Sequence, residues 1–189
     1  MNPLETATAV GVQGFMHCAE LEQLIHLAAN RRVLEIGSFM GLSAYWLAHV
    51  ATHVVCVDTF KAWTNGQTQG EDFTTIADFQ KATARYNNIV TFIGTSAEAA
   101  ATITDEFEMI FLDAMHTYED VKADIARWWP KLKVGGLMVF HDYGHEHFPG
   151  VKQAVDEVLG EIPEERRIIT LAWLEKCDQT LAFSDKVAI

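Results

Sequence analysis

The stretch Met109–Tyr118, which reads MIFLDAMHTY, decides how the rest of the chain can be arranged. Its apolar part, Met109–Leu112, is typical of a strand buried on both faces of a parallel sheet. A carboxylate and an imidazole, Asp113 and His116, follow where the strand should end. Ligands of open α/β sheets bind outside the carboxyl ends of the strands. The stretch therefore predicts an α/β fold with a reaction centre at this point, although a helix-capping aspartate beside an exposed histidine would give the same pattern.

A glycine-containing turn follows the first predicted strand, Val33–Ile36. Gly37 and Gly41 bracket this turn, and a helix is predicted directly after it over Leu42–Val50. Such a turn lets a ligand approach the backbone closely and directs a helix N-terminus at it. The last glycine of the dinucleotide-binding pattern GxGxxG is missing, which disfavours a nicotinamide cofactor.

Polar side chains also follow the next predicted strands. Asp58 comes after the strand His53–Val57, about 20 residues beyond Gly37, and an acidic side chain at that spacing can bind the ribose hydroxyls of a nucleoside. Ser96 follows the strand Ile89–Ile93 and could contact an adenine ring. Each residue also has a simpler structural explanation, because aspartate and serine cap turns and helices.

The order of the predicted elements defines the fold class. Five strand–helix units alternate along the chain, and the last of their strands is Leu137–Phe140. Such alternation predicts a doubly wound, mostly parallel α/β sheet of the Rossmann-like type with helices on both faces. Arg167–Leu171 and Thr180–Phe183 are then expected to form an antiparallel strand pair at the sheet edge, connected through residues 173–178.

We expect a single domain over residues 1–189. Residues 1–31 are predicted to form a helical cover, either over a ligand cleft or simply against one edge of the sheet. Residues 60–72 contain strong turn signals and Trp63, and a loop of this length could close over a substrate as a lid. A tryptophan fixed to the scaffold would explain the same pattern.

Composition narrows the range of partners. The formal net charge is -12 and 49% of the residues are hydrophobic, which fits a folded core and disfavours nucleic acid and anionic membranes as partners. The three cysteines are far apart, so neither a disulfide framework nor a zinc finger is indicated. Because no run has the features of a leader or the length of a membrane span, we expect a cytoplasmic protein.

Taken together, these segments resemble the class I S-adenosylmethionine-dependent methyltransferases. They are most similar to small-molecule O-methyltransferases of the catechol type and of the macrolide-sugar and cephalosporin-biosynthesis type. The resemblance implies S-adenosyl-L-methionine as cofactor and a hydroxyl of a sugar, polyol or aromatic compound as acceptor. The segments that carry it lie between Val33 and Leu159 and read LEIGSFMGLSA, VVCVDTF, GTSAEA, FLDAMHTYEDV and LKVGGLMVFHDYG.

The resemblance also implies which residues bind the cofactor. Their matched positions follow successive strand ends, so one rim of the sheet would hold the whole cofactor. The residues so implied are Glu35, Gly37, Ser38 and Gly41 for the methionine end, Asp58 and Thr59 for the ribose, Ser96 and Ala97 for the adenine, and Asp113 beside the transferred methyl group.

By the same resemblance, His116 is the expected general base and Asp113 acts with it in catalysis. With an ordinary pKa of about 6.5, a histidine could take a proton from the acceptor hydroxyl near neutral pH. Asp113 and Asp142 match metal-binding carboxylates, and His141 stands where sugar-modifying relatives have another acidic residue. Mg²⁺ is the expected ion if a metal is used, and the loss of one carboxylate leaves Zn²⁺, Mn²⁺ or no metal as the alternatives.

Two other functions stay open at this point. A nicotinamide-dependent oxidoreductase could use the same architecture, although the incomplete glycine pattern argues against it. A catalytically silent protein that binds S-adenosylmethionine would retain Asp113 and His116 without using them.

Overall fold

A seven-stranded sheet forms the centre of the protein in the computed structural model, which describes residues 2–61, 63–64, 67–68 and 74–177. A separate antiparallel pair consists of β3 (Trp63–Thr64) and β4 (Gln67–Thr68). The strands of the large sheet are β1 (Arg32–Ile36), β2 (His53–Asp58), β5 (Ile89–Ile93), β6 (Phe107–Leu112), β7 (Leu132–Phe140), β8 (Arg167–Ile168) and β9 (Leu171–Glu175).

Helices cover both faces of this sheet. The first four helices pack on one face and the last three on the other, each face with its own apolar core. No helix within the described ranges is long and apolar enough to cross a membrane. The helices are α1 (Pro3–Ala9), α2 (Cys18–Ala28), α3 (Leu42–Val50), α4 (Ile76–Thr83), α5 (Ser96–Thr102), α6 (Tyr118–Trp128) and α7 (Pro149–Leu159), with 3₁₀ turns at Trp129–Lys131 and Glu164–Arg166.

The strand order places a crevice at the centre of the sheet. From one edge to the other the order is β5-β2-β1-β6-β7-β9-β8, and the first five of these strands run parallel. The chain builds outward from β1 in one direction and then crosses to β6 on the other side. This reversal makes the gap between the ends of β1 and β6 the topological switch point, where such sheets bind their ligands. The predicted doubly wound, mostly parallel sheet is confirmed.

The strand β6 shows why an unbroken apolar run was needed. Met109 and Phe111 pack into the core beneath α2 and α3, whereas Ile110 and Leu112 pack into the core beneath α6 and α7. Successive side chains of a strand point to opposite faces, so a strand covered on both sides must be apolar at every position.

The C-terminal strand pair lies earlier in the chain than predicted. β8 and β9 pair through Arg167 with Ala172 and Ile168 with Leu171, and a tight turn joins them. Trp173, predicted to lie in the connection, is part of β9 and pairs with Val139 of β7. The turn was missed because Ile169 adopts a positive φ of 55°, a conformation that a β-branched residue rarely takes. The predicted strand Thr180–Phe183 lies outside the described residues.

The predicted cover and lid are described only in part. The helix predicted from the apolar spacing after His17 is present as α2, which packs with α1 into the core on one face of the sheet. Most of the segment 60–72, including the side chain of Trp63, lies outside the described residues. Its first residue, Phe60, is buried against Phe79 with 4.9 Å between ring centroids.

The switch point depends on the missing side chain of Gly37. This residue has φ of 92°, and a Cβ placed on it would lie 2.0 Å from the carbonyl oxygen of Asp113. Gly135 has a similar φ of 77°, but a Cβ there would meet nothing within 4 Å.

Replacing these two glycines by alanine therefore separates backbone strain from close approach. Gly135→Ala should cost about 1–2 kcal/mol, the strain of a left-handed alanine. Gly37→Ala should cost roughly 3 kcal/mol or more, because β1 and β6 must also move apart. Urea unfolding measures both values, and equal losses would show that the close approach does not matter.

Candidate functional site

Backbone hydrogen bonds continue across the sheet beyond the strand ends and align the site. The Gly37 N–H donates to the Val57 carbonyl at 2.9 Å, and the Asp113 N–H donates to the Ile36 carbonyl at 2.9 Å. The His141 N–H donates to the Leu112 carbonyl at 3.1 Å. The ends of β1, β6 and β7 are therefore held side by side, which brings Gly37, Asp113 and His141 to one rim.

Asp58 holds the glycine turn in place. Its Oδ2 accepts hydrogen bonds from the backbone N–H groups of Ser38 at 2.7 Å and Phe39 at 2.8 Å, and its Oδ1 accepts one from Phe60 at 2.6 Å. These are the capping contacts that the sequence left open as the simpler explanation. A carboxylate can accept about four hydrogen bonds, so one site remains for a ribose hydroxyl. Thr59 beside it is exposed.

Glu35 lies beneath the same turn and is fully buried. The hydroxyl of Ser38 donates a hydrogen bond to Oε2 of Glu35, while Oε1 has no hydrogen-bond partner. Burial raises the pKa of Glu35 to about 7, although the nearby polar groups of Ser38, Ser43 and Cys56 oppose the shift. Glu35, which was predicted to contact the cofactor, is thus hydrogen-bonded to the turn and has no exposed surface.

The predicted adenine-binding residues begin α5. Thr95 caps this helix, and the Ser96 hydroxyl donates to Asp124 while accepting a hydrogen bond from the Trp128 indole at 2.8 Å. Because this hydroxyl is already used to dock α6, a ligand would meet the backbone of Ser96 or the exposed Ala97. Gly41, another predicted cofactor-binding residue, is the N-cap residue of α3 and has φ of 91°.

Two imidazoles and two carboxylates converge at the ends of β6 and β7. Nε2 of His116 lies 3.1 Å from Asp142 Oδ2 and 3.7 Å from Asp113 Oδ1. Nδ1 of His141 lies 3.2 Å from Asp113 Oδ1 and 3.3 Å from Asp142 Oδ2. Each of the two histidines predicted for the site thus has a ring nitrogen within 3.7 Å of both Asp113 and Asp142.

This arrangement changes the expected acidity of the histidines. Burial alone would lower the pKa of both imidazoles, but their close contacts with the negatively charged Asp113 and Asp142 outweigh it. The pKa of His116 rises to about 9 and that of His141 to about 12. The pKa values of Asp113 and Asp142 are lowered, because their contacts with the two histidines outweigh the effect of burial. The expectation of an ordinary histidine pKa for His116 is wrong, because sequence spacing did not show that two carboxylates would face one ring.

His116 is also held by an aromatic contact that the sequence did not indicate. The ring of Phe148, just before α7, lies 4.3 Å from the His116 ring between centroids and is tilted by 34°. Nε2 of His116 is buried. Although two carboxylates lie close to it, neither is aligned to form a hydrogen bond with it. His145 contacts Phe148 and His147 is largely exposed, so neither adds to the carboxylate group.

Asp113, His141 and Asp142 could hold a metal ion. One ligand atom from each of the three lies within 4.8 Å of the others. Nε2 of His141 points away from this group and lies 3.4 Å from Glu20 Oε2. A histidine that binds a metal through one ring nitrogen usually donates the N–H of its other ring nitrogen to a carboxylate. This donor set therefore fits a divalent cation.

Glu20 is the main residue that sequence reasoning missed. It is buried, with 2% of its surface exposed. One signal was present: Glu20, Leu24 and Leu27 are spaced i, i+4, i+7, so a charged residue stands in the apolar stripe of α2.

A cavity of about 330 Å³ lies between the N-terminal segment and the glycine turn. Gln13, Gly14 and Phe15 line one side, and Phe39 and Met40 of the turn line the other. The ring centroids of Phe15 and Phe39 are 5.7 Å apart. The N-terminal segment therefore borders the turn at which a cofactor is expected.

Comparison with known proteins agrees with this architecture. The O-methyltransferase NovP superposes with a TM-score of 0.66 at 16% identity, covering 83% of this chain and 79% of NovP. The O-methyltransferase TomG from Streptomyces achromogenes, solved in complex with SAM, gives a TM-score of 0.61 at 18% identity, covering 85% of this chain and 79% of TomG. At these identities the similarity shows the fold alone, which this chain shares with the two O-methyltransferases.

The family follows from the sequence match. A family model described as a methyltransferase domain matches residues 34–143, and the chain belongs to this family. The resemblance found in the sequence is thereby confirmed. An uncharacterized protein of Sinorhizobium fredii, y4gI, is 30% identical over an alignment of 142 residues that covers 69% of this chain and 15% of that protein. The chain thus spans only a small part of the length of this curated relative.

The buried Glu35 predicts a dependence of stability on pH. Its pKa of about 7 in the folded protein exceeds the ordinary value of 4.5, so between these values the unfolded state binds fewer protons. The contribution of Glu35 to the free energy of unfolding should therefore be fully present below about pH 4.5 and fall as the pH rises. The loss by about pH 7.5 should be on the order of 3 kcal/mol.

Chemical denaturation of the wild type and of Glu35→Gln at several pH values measures this contribution. The wild type should lose stability relative to the variant across this window. If the difference in free energy of unfolding between the two proteins stays constant with pH, ionisation of Glu35 does not destabilise the fold.

Proposed function

We propose that the protein transfers the methyl group of S-adenosyl-L-methionine to a hydroxyl of a small molecule, such as a sugar, polyol or aromatic compound. One observation carries the proposal: the glycine turn after β1 and the Asp113–His116 pair meet at the switch point of the sheet. Membership of the methyltransferase domain family supports the same conclusion.

The cofactor would lie along the strand ends. The turn at Gly37 would border the methionine end, and the free acceptor site of Asp58 would bind a ribose hydroxyl. The backbone at Ser96 and Ala97 would border the adenine. Asp113, next to Gly37 in the sheet, would face the sulfonium and favour it by its negative charge.

The reaction itself mainly requires alignment and a nucleophile. Methyl transfer is a displacement at carbon, so the acceptor oxygen must lie in line with the methyl–sulfur bond. We infer that His116 takes the proton of the acceptor hydroxyl at Nε2, which is buried and directed into the group of carboxylates. Phe148 would keep the ring in this orientation.

A divalent cation held by Asp113, His141 and Asp142 would supply a Lewis acid for the hydroxyl and neutralise the carboxylates that keep His116 protonated. Mg²⁺ was expected from the sequence, and the two carboxylates suit it. The imidazole of His141 is a donor that suits Mn²⁺ or Zn²⁺ better.

Measurement of S-adenosylhomocysteine release tests the base role. With a panel of sugars, polyols and phenols, release should depend on a hydroxyl acceptor, and His116→Gln should lower kcat by about 10²–10⁴. His147→Gln is the matched control, because its side chain is exposed and outside the site. Full turnover in His116→Gln would remove this residue from catalysis. Binding of S-adenosylmethionine without release for any acceptor class would favour a silent binding protein.

Manganese titration followed by electron paramagnetic resonance tests the metal site. The wild type should bind Mn²⁺, and Asp142→Asn should weaken binding at least about tenfold, because one of two carboxylate ligands is lost. Asp78→Asn removes an equal charge from an exposed position of α4 and should change nothing. Equal affinity in Asp142→Asn and the wild type would contradict the site.

A further inference from the structure

Glu20 makes more contacts than its place in the helix requires. It is the third residue of α2, and its Oε2 accepts a hydrogen bond from the His17 backbone at 3.0 Å, as in an ordinary capping box. Its Oε1 accepts two further bonds, from the Thr170 backbone at 2.7 Å and the Thr170 hydroxyl at 2.6 Å. The same Oε2 lies 3.4 Å from Nε2 of His141.

Two other helices show what a capping glutamate does by itself. Glu5 caps α1 together with Asn2, and Glu98 caps α5 together with Thr95. Both glutamates are exposed, whereas Glu20 is buried. Burying a carboxylate is energetically unfavourable unless it is paired and hydrogen-bonded. The cap explains why a glutamate is at this position but not why it is buried against His141.

The ring of His141 has a different neighbour at each nitrogen. Nε2 faces Glu20, whereas Nδ1 faces Asp113 and Asp142 at 3.2 and 3.3 Å. A ring rotated by half a turn would place carbon atoms against these carboxylates. The contact with Glu20 thus selects the orientation in which Nδ1 is presented to the reaction centre.

Thr170 connects Glu20 to the backbone that follows β7. Its carbonyl accepts a hydrogen bond from the Tyr143 N–H at 2.9 Å, one residue beyond Asp142. Asp142 and Ile169 both have positive φ values, of 58° and 55°. Strained residues of this kind persist only where surrounding contacts fix them.

We propose that Glu20 is a positioning residue for the reaction centre: by holding Nε2 of His141, it directs Nδ1 at Asp113 and Asp142. The inference gives the N-terminal helix α2 a direct part in building the site. Its importance for catalysis rests on the proposed function. It assigns no contact between Glu20 and the substrate or cofactor.

Nuclear magnetic resonance of the protein with ¹⁵N-labelled histidine tests the contact without metal, cofactor or acceptor. The wild type should show a slowly exchanging Nε2–H signal of His141, assigned by its loss in His141→Gln. Glu20→Asp keeps the charge but shortens the side chain, and both it and Glu20→Gln should lose or strongly shift the signal. Mn²⁺ affinity should fall 10- to 100-fold in both variants, the usual effect of removing the support of a metal-binding histidine.

Two controls separate positioning from helix capping and from loss of stability. Glu5→Gln removes the equivalent glutamate of α1 and should leave the His141 signal and Mn²⁺ affinity unchanged. Thr170→Val removes one hydrogen bond to Glu20 but leaves the contact with His141, so the signal should remain.

Retention of the wild-type signal in Glu20→Gln would overturn the proposal, as would its loss in Glu5→Gln. If Glu20→Gln does not fold, the wild-type spectrum decides, because a His141 Nε2–H that exchanges rapidly with water is not held by Glu20. The signal is independent of turnover, so failure of the proposed methyl transfer would be seen separately as no S-adenosylhomocysteine release.

Discussion

The close approach of β1 and β6 at the switch point is the constraint on which the rest of the structure depends. The turn at Gly37 passes so near the Asp113 carbonyl that no side chain fits between them. This contact sets Asp113 beside the turn, and the ladder continues it to His141 at the end of β7. The reaction centre is therefore placed by backbone geometry, and its side chains only have to be oriented.

Orientation is achieved by carboxylates that are buried or partly buried. Asp58 fixes the glycine turn, Glu35 supports it from below, and Glu20 faces His141 from α2. The two most buried of these differ in pKa for a physical reason. Glu20 accepts several hydrogen bonds and lies beside an imidazole, which lower its pKa to about 2, whereas Glu35 has an unpartnered oxygen and burial raises its pKa to about 7.

The strands, the helices and the rim were predictable because their signals are local. The apolar run before Asp113 and the glycine turn both depend on neighbouring residues, and both predictions agree with the structure. Glu20 and Phe148 were missed because their contacts join distant parts of the chain: Glu20 meets His141 121 residues later. The raised pKa of His116 was missed for the same reason, since it depends on Asp142 as well as on Asp113. The turn at Ile169 contains no residue that favours a positive φ.

The central claim is that these strand ends form a site for S-adenosylmethionine rather than for a nicotinamide cofactor. Isothermal calorimetry of the purified protein with S-adenosylhomocysteine and with NAD tests it most directly. The architecture predicts binding of S-adenosylhomocysteine with one site per chain and no binding of NAD. Binding of NAD without binding of S-adenosylhomocysteine would contradict the account.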